Sequence, residues 1–255
     1  MSNSKSGNFC NFCYSVQNID RVTCVHSIPD VSSFWIGHSS GKLTAITYSM
    51  NTTTLQLTLQ SIQSLYGHDS GINDIVASRE WSVVITASSD GSSIVWDTRK
   101  MSYVRSIRWS EDQTTSHELV KISQANGDLA IVNGLNDLLL FSLNDRFVAV
   151  QKKVQPSITS LAFSHEPEGT AINVIATGHR QTGVIRLWSA WDLSPQREFP
   201  CSHTLTPITS LAFSLDSKYL YASFSDGFLA IFERESQSPV TRPPNYLDLS
   251  RMMTS

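Results

Sequence analysis

The chain has 255 residues, 40% hydrophobic and only 16% charged against about 25% in an ordinary soluble domain, and 40 serines make up the difference. Nineteen basic residues against 22 acidic ones, with no run of four Lys or Arg, exclude the charge pattern of a protein that tracks nucleic-acid phosphates. No apolar leader follows Met1, the longest apolar runs (Leu138-Leu-Leu-Phe141) fall far short of the roughly 18 residues of a membrane span, and four cysteines without a leader imply reduced thiols, so a cytosolic chain without membrane insertion is expected.

Residues 1–16 are expected to form a flexible segment. Cys10-x-x-Cys13, followed by Cys24-x-His26, has the residue types of a zinc site. The spacing is irregular, and Cys24 and His26 fall on one face of a predicted strand. The reading is a thiol-bearing tail beside an ordinary strand, with no metal and no cofactor.

From residue 17 to 235 the chain repeats itself. The first unit reads Val22-Thr-Cys-Val-His-Ser27, then Phe34-Trp-Ile36, a turn at Ser40-Gly41 with an apolar strand to Thr47, and a fourth run over Leu55–Leu65. The second reads Ile72–Ser78, Val83-Val-Ile-Thr86, a turn at Asp90-Gly91 leading to Trp96-Asp97, and Tyr103–Ile107. The third reads Glu118–Ser123, Leu129–Val132, a turn at Asn136-Asp137 leading to Ser142, and Phe147–Val150. The fourth reads Ile158–Ser164, Val174-Ile-Ala176, a turn at Thr182-Gly183 leading to Trp188, and the stretch around Arg197–Phe199. The fifth reads Ile208–Ser214, Tyr219-Leu-Tyr221, and a turn at Asp226-Gly227 leading to Phe232.

Ile-Thr-Ser-Leu-Ala-Phe-Ser occurs twice, at Ile158–Ser164 and Ile208–Ser214, 50 residues apart. The serines that end the first runs (27, 78, 123, 164, 214) and the turn residues Gly41, Gly91, Asp137, Gly183 and Gly227 keep one period of about 45 residues. Gly and Asn-Asp supply the positive-φ backbone a tight hairpin needs. Four short strands per such unit make an all-β protein, a β-propeller with about five visible blades, and no window carries a sustained helical period.

Gly67-His68 ahead of the second unit and Trp96-Asp97 at its end resemble the WD-repeat family. The resemblance implies a buried hydrogen-bonded tetrad of His68, Ser88 (or Thr86), Asp90 and Trp96, which would lock the blade because buried polar groups must be paired. Unit four has Trp188-Ser189 and unit five Phe232 at the same place. Gly37-His38 and Gly178-His179 follow the second run instead of preceding the first, and read as turns. The run Asn173-Val-Ile-Ala-Thr-Gly-His-Arg-Gln-Thr-Gly-Val-Ile-Arg-Leu-Trp188, with Phe163–Gly169 and Ile185–Leu193, is similar to the propellers that close BEACH-domain proteins, most of all those that regulate lysosomal trafficking. The resemblance spans about Ser64 to Glu235. Propellers of this type usually close with seven blades, so upstream blades and a BEACH domain are expected to lie outside this chain.

No Gly-x-Ser-x-Gly elbow, His-Glu-x-x-His helix or phosphate-cradling loop appears, and no motif pairs Asp69-Ser70-Gly71 with a base. No two arginines are adjacent, which removes the paired-arginine route to phosphoinositides. Residues 236–255 read as a disordered tail. It holds Pro243-Pro244-Asn245-Tyr246, the Pro-Pro-x-Tyr pattern of WW-domain ligands, overlapped by Tyr246-Leu-Asp-Leu249, a Tyr-x-x-apolar sorting pattern. The expected protein is a non-enzymatic scaffold whose partners are proteins of the trafficking machinery. The resemblance implies a cytoplasmic place at the periphery of endosomal or lysosomal membranes. The alternative is an adaptor of another pathway, such as a ubiquitin-ligase substrate receptor. Trp81, Trp109, Arg180 and Trp191 are the candidate interaction residues, since aromatic and Arg anchors dominate interface energetics.

Overall fold

The computed structural model describes residues 20–28, 31–50, 53, 57–109, 115–144, 146–165, 173–180, 183–200, 206–234 and 245–248. They form five antiparallel sheets of four strands, each a simple meander in chain order. Blade 1 is β1 (Val22–Ile28), β2 (Ser33–His38), β3 (Leu43–Met50) and β4 (Leu57–Leu65). Blade 2 is β5 (Ile72–Ser78), β6 (Val83–Ser88), β7 (Ser92–Asp97) and β8 (Ser102–Arg108). Blade 3 is β9 (His117–Ile122), β10 (Leu129–Asn133), β11 (Leu138–Phe141) and β12 (Phe147–Gln151). Blade 4 is β13 (Ile158–Phe163), β14 (Val174–His179), β15 (Ile185–Ser189) and β16 (Pro195–Phe199). Blade 5 is β17 (Ile208–Phe213), β18 (Tyr219–Phe224), β19 (Phe228–Glu233) and β20 (Asn245–Asp248). No α-helix occurs among the described residues.

The repeat extends to the register. Every first strand carries a bulge at its second residue, where the pairing steps over Thr23, Asn73, Glu118, Thr159 or Thr209. The turns between second and third strands need left-handed backbone, supplied by Gly41, Gly91, Gly183 and Gly227. In blade 3 Asn136, at φ 64°, does this in place of the expected Asp137.

Central strands β6, β10, β11 and β14 are buried along their whole length, on both faces. This is why they read as unbroken apolar runs rather than alternating ones. First strands pack side by side in chain order, and each pair of consecutive blades shares one apolar cluster. Trp35, Leu43 and Ala45 meet Ile72, Ile75 and Val84; Val76, Ile85 and Val95 meet Val120, Leu129 and Ile131. Ala130, Val132 and Leu140 meet Leu161, Ile175 and Trp188; Ala176, Ile185 and Leu187 meet Leu211, Leu220 and Phe232.

Two sequence readings are corrected. Gly37-His38 and Gly178-His179 do not form turns: they end β2 and β14, and His38 and His179 are buried. Glycine there serves close approach between blades. A Cβ on Gly178 would stand 2.6 Å from Ile208 Cγ2, and one on Gly37 would stand 2.9 Å from Ile72 Cγ2, each an isoleucine of the next blade. The second correction is within the tail. Asn245–Asp248 form β20, pairing Asn245, Tyr246, Leu247 and Asp248 with Ile231, Ala230, Leu229 and Phe228. Without it, β19 would present an unpaired edge of N–H and C=O groups.

Candidate protein-interaction surface

Blade 2 brings His68, Asp90 and Trp96 together, and the residue that joins them is Thr86. Trp96 Nε1 donates to Thr86 Oγ1 at 2.9 Å, Thr86 Oγ1 lies 2.7 Å from His68 Nε2, and His68 Nδ1 lies 2.9 Å from Asp90 Oδ2. One proton arrangement satisfies every atom: indole to hydroxyl, hydroxyl to imidazole, imidazole to carboxylate. Burial pushes the Asp90 carboxyl up, but hydrogen bonds from His68, Ser92 and the Asp69 backbone outweigh it and hold the pKa well below the usual carboxylate range. Ser88, the first choice from sequence, stands outside this relay. It donates to Ser70 O at 3.0 Å and accepts from the Asp90 backbone at 3.1 Å. Its side chain lies on the same face of β6 as Thr86 but two residues further along, at the end of the strand beside the Asp90 turn.

Blade 4 builds the same relay from other positions. Trp188 Nε1 donates to Thr177 Oγ1 at 2.9 Å, Thr177 Oγ1 lies 2.9 Å from His179 Nε2, and His179 Nδ1 donates to Pro156 O at 2.7 Å. Thr86 and Thr177 hold equivalent register positions, paired with Ile75 and Leu161. The imidazole comes from the end of the second strand rather than from the preceding loop, and a carbonyl takes the place of the carboxylate. Burial holds the His179 pKa below the usual range, in keeping with a neutral ring. In blade 1, His38 Nε2 lies 2.9 Å from Thr44 Oγ1, without an indole.

These polar groups hold the blades together; the loops are what remains for recognition. Because every sheet is a meander, connections from first to second and from third to fourth strand emerge at one end of the blades, and the others at the opposite end. Trp191, in the β15–β16 connection, is 80% exposed. Trp81, in the β5–β6 connection, lies on the same face, half exposed, its ring against Gly127 of blade 3. Arg180 is exposed but follows β14 and belongs to the opposite face. Trp109 is no surface anchor: it is 8% exposed and wedged between blades 2 and 3. Its ring centroid lies 4.6 Å from that of Phe147 and 6.4 Å from that of Phe141. Leu215, 90% exposed in the β17–β18 turn, shares the Trp191 face. An apolar residue inside the turn Ser214-Leu-Asp-Ser217 was the available signal.

Tyr246 lies on β20, while Pro243, Pro244 and Leu249 of the tail motif lie outside the described residues. Cys10 and Cys13 do as well. Cys24 and His26 share the face of β1 turned toward blade 2, where Cys24 packs with Ile72. Among the described residues no three His, Cys, Asp or Glu side chains gather as metal ligands, and no helix is long and apolar enough to cross a membrane.

Repeated four-stranded blades stacked through their first strands, with an indole–hydroxyl–imidazole relay inside them, define an arc of a WD-repeat β-propeller. Residues 59–97 and 194–233 match the WD domain, G-beta repeat, so the chain carries WD repeats. It is similar to lysosomal-trafficking regulators: 35% identical over 245 residues to that of Homo sapiens, covering 94% of this chain and 6% of the relative. To that of Drosophila melanogaster it is 27% identical over 222 residues, covering 67% of this chain and 6% of the relative. The chain thus spans about 6% of the length of these curated relatives. Among solved structures, the computationally designed Ika8 protein superposes with a TM-score of 0.62 at 17% identity, over 85% of this chain and 59% of that one, a likeness of fold.

Proposed function

We propose that the chain is a non-enzymatic scaffold, the C-terminal propeller part of a BEACH-type regulator of lysosome and vesicle trafficking. In this reading it acts in the cytoplasm at the periphery of endosomal or lysosomal membranes, by docking proteins on its loop faces. The similarity to the human lysosomal-trafficking regulator along 94% of the chain carries the reading. The chemistry is consistent with it: the buried His, Thr and Asp groups of blades 2 and 4 are engaged with one another, so their polar atoms lock blades. The exposed apolar residues Trp191 and Leu215 lie on a loop face, where anchors of an interface belong.

The test is a photo-crosslinking amino acid at position 191, with position 180 on the opposite face as control, in the protein in its own cells. Protein crosslinks from 191 that disappear with Leu215→Asp are expected. Equal yields of the same products from both positions would refute a specific docking face.

A further inference from the structure

The outermost strand of a blade presents a row of backbone N–H and C=O groups on its far side, and folds guard such edges with charge, proline or brevity. Four of the five outer strands follow that rule. β8 carries Arg105 and Arg108. β12 has five residues, set between Arg146 and Lys152-Lys153. β16 opens on Pro195 and holds Arg197 and Glu198. β20 has four residues and ends in Asp248. β4 lacks every one of these guards. With nine residues it is the longest strand described, and residues 43–67 include no charged residue and no proline. Thr58 and residues 60–64 are exposed. Among the described residues no strand pairs with the far edge of β4.

The edges also differ in what a second copy would meet. Each of the first four outer strands has a bulge, where the pairing steps over Gln60, Val104, Val148 or Gln196. The regular stretch is therefore residues 61–65 in β4, 105–108 in β8, 149–151 in β12 and 197–199 in β16. Two copies related by a two-fold axis pair these strands antiparallel, so residues equidistant from the axis come opposite each other. On β8 this sets Arg105 against Arg108 of the second copy, and on β16 it sets Glu198 against Glu198. On β12 it brings Arg146 to Lys152-Lys153. Like charges directly opposite are destabilising. On β4 the same operation sets Gln63 against Gln63, Ile62 against Ser64, and Ser61 against Leu65. A carboxamide both donates and accepts, so Gln63 can exchange two hydrogen bonds with its own copy. Within one chain, its amide reaches Met101 O at 3.5 Å, the outer limit of a hydrogen bond.

We infer that the outer edge of β4 is a self-association surface, on which a second copy of this protein lays its own β4 antiparallel with the two-fold axis at Gln63. The two four-stranded sheets then join into one continuous sheet, and the edge groups of both copies are paired. A second copy is favoured because β4 is the outer strand that can meet itself without opposing charge or a missing N–H, while β8, β12 and β16 each oppose their own copies. The edge lies on the side of the sheet farthest from β1, the strand that packs beside the first strand of blade 2, so blade stacking leaves it open. The inference rests on edge chemistry and is independent of the trafficking reading.

The test expresses two differently tagged copies of the full-length product together in its own cells, one with Ile62→Cys and the other with Ser64→Cys. Cells are oxidised with diamide, free thiols are blocked, and disulfide-linked peptides joining the two copies are quantified by mass spectrometry. The 62–64 link should form at least about tenfold more than the 62–62 link from two Ile62→Cys copies, because 62 and 64 are directly opposed whereas 62 and 62 stand about 7–8 Å apart on the diagonal. Gln63→Glu in both copies, or Gln63→Arg in both, should lower the 62–64 link at least about tenfold, and Gln63→Glu in one copy with Gln63→Arg in the other should restore it. Val104→Cys or Val148→Cys, on the guarded edges, should form no link with itself. Equal 62–62 and 62–64 links, or none with both copies at wild-type level, would overturn the inference. So would a Glu–Arg pair that links no better than the Glu–Glu pair. A disulfide from position 62 to a different protein, or to another segment of the same copy, would overturn it as well, since the edge would then hold that peptide.

Discussion

Replacing Thr86 by valine keeps the shape of a fully buried side chain and removes one oxygen. That oxygen accepts the Trp96 indole N–H at 2.9 Å and serves His68 Nε2 at 2.7 Å, so Thr86→Val leaves two buried polar groups without a partner. A buried group left unpaired costs about 1–3 kcal/mol, which puts the substitution at about 2–6 kcal/mol. Ser88→Ala removes a bond to Ser70 O near the blade surface and one from the Asp90 backbone, and should cost about 1 kcal/mol. The assay is urea unfolding followed by tryptophan fluorescence, with the slope compared between variants so that a change in midpoint reports stability. Thr177→Val in blade 4 should resemble Thr86→Val, since it strands Trp188 and His179 in the same way. If Thr86→Val costs no more than Ser88→Ala, threonine is not the hub and the relay described here is wrong.

Gly178→Val pushes a side chain into Ile208 of the next blade and should destabilise by about 1–3 kcal/mol, whereas Ser223→Val on the uncovered face should stay within about 0.5 kcal/mol; equal costs would contradict the packing argument. Trp109→Ala should cost about 3–5 kcal/mol and Trp191→Ala less than about 0.5, read from the same unfolding curves, and the reverse order would exchange their roles. Acid should weaken the fold in two stages. Burial lowers the His117 pKa from 6.5 to about 4, so the unfolded chain takes up that proton first; stability falls as pH drops from about 6.5 to about 4, by at most about 3 kcal/mol. The Asp90 carboxylate, depressed by its hydrogen bonds, adds a loss that begins below the ordinary carboxylate range of about 4 and continues toward its lower folded value. Urea midpoints that do not change between pH 7 and pH 4.5 would refute the first stage.

The blades were legible because each is a local object: an apolar run, a turn residue able to take positive φ, and a second run, at a fixed period. What escaped was whatever depends on a neighbouring blade. Gly178-His179 carries the residue types of a turn, and the approach of Ser160 on the paired strand and of Ile208 from the next blade explains glycine inside a strand. Trp109 follows an outer strand where exposure is the ordinary expectation, yet blade 3 supplies Phe141 and Phe147 to cover it. Ser88 and Thr86 differ by two positions and both suit a hydroxyl; the indole of Trp96 reaches one of them. Asn245–Asp248 pair with a strand that eleven residues of chain separate from them, and no local pattern announces that edge. The two copies of the heptapeptide show the limit plainly: Ser160 and Ala162 are buried in blade 4, and the matching Ser210 and Ala212 are open in blade 5.

The scaffold reading meets its most direct test in lysosome diameter, measured in cells whose own copy of the protein lacks residues 20–234 or carries Trp191→Asp. The account predicts that the deletion changes lysosome diameter, and that Trp191→Asp shifts it in the same direction while protein level and urea midpoint stay at wild-type values. Unchanged lysosomes in cells lacking the blades would contradict it.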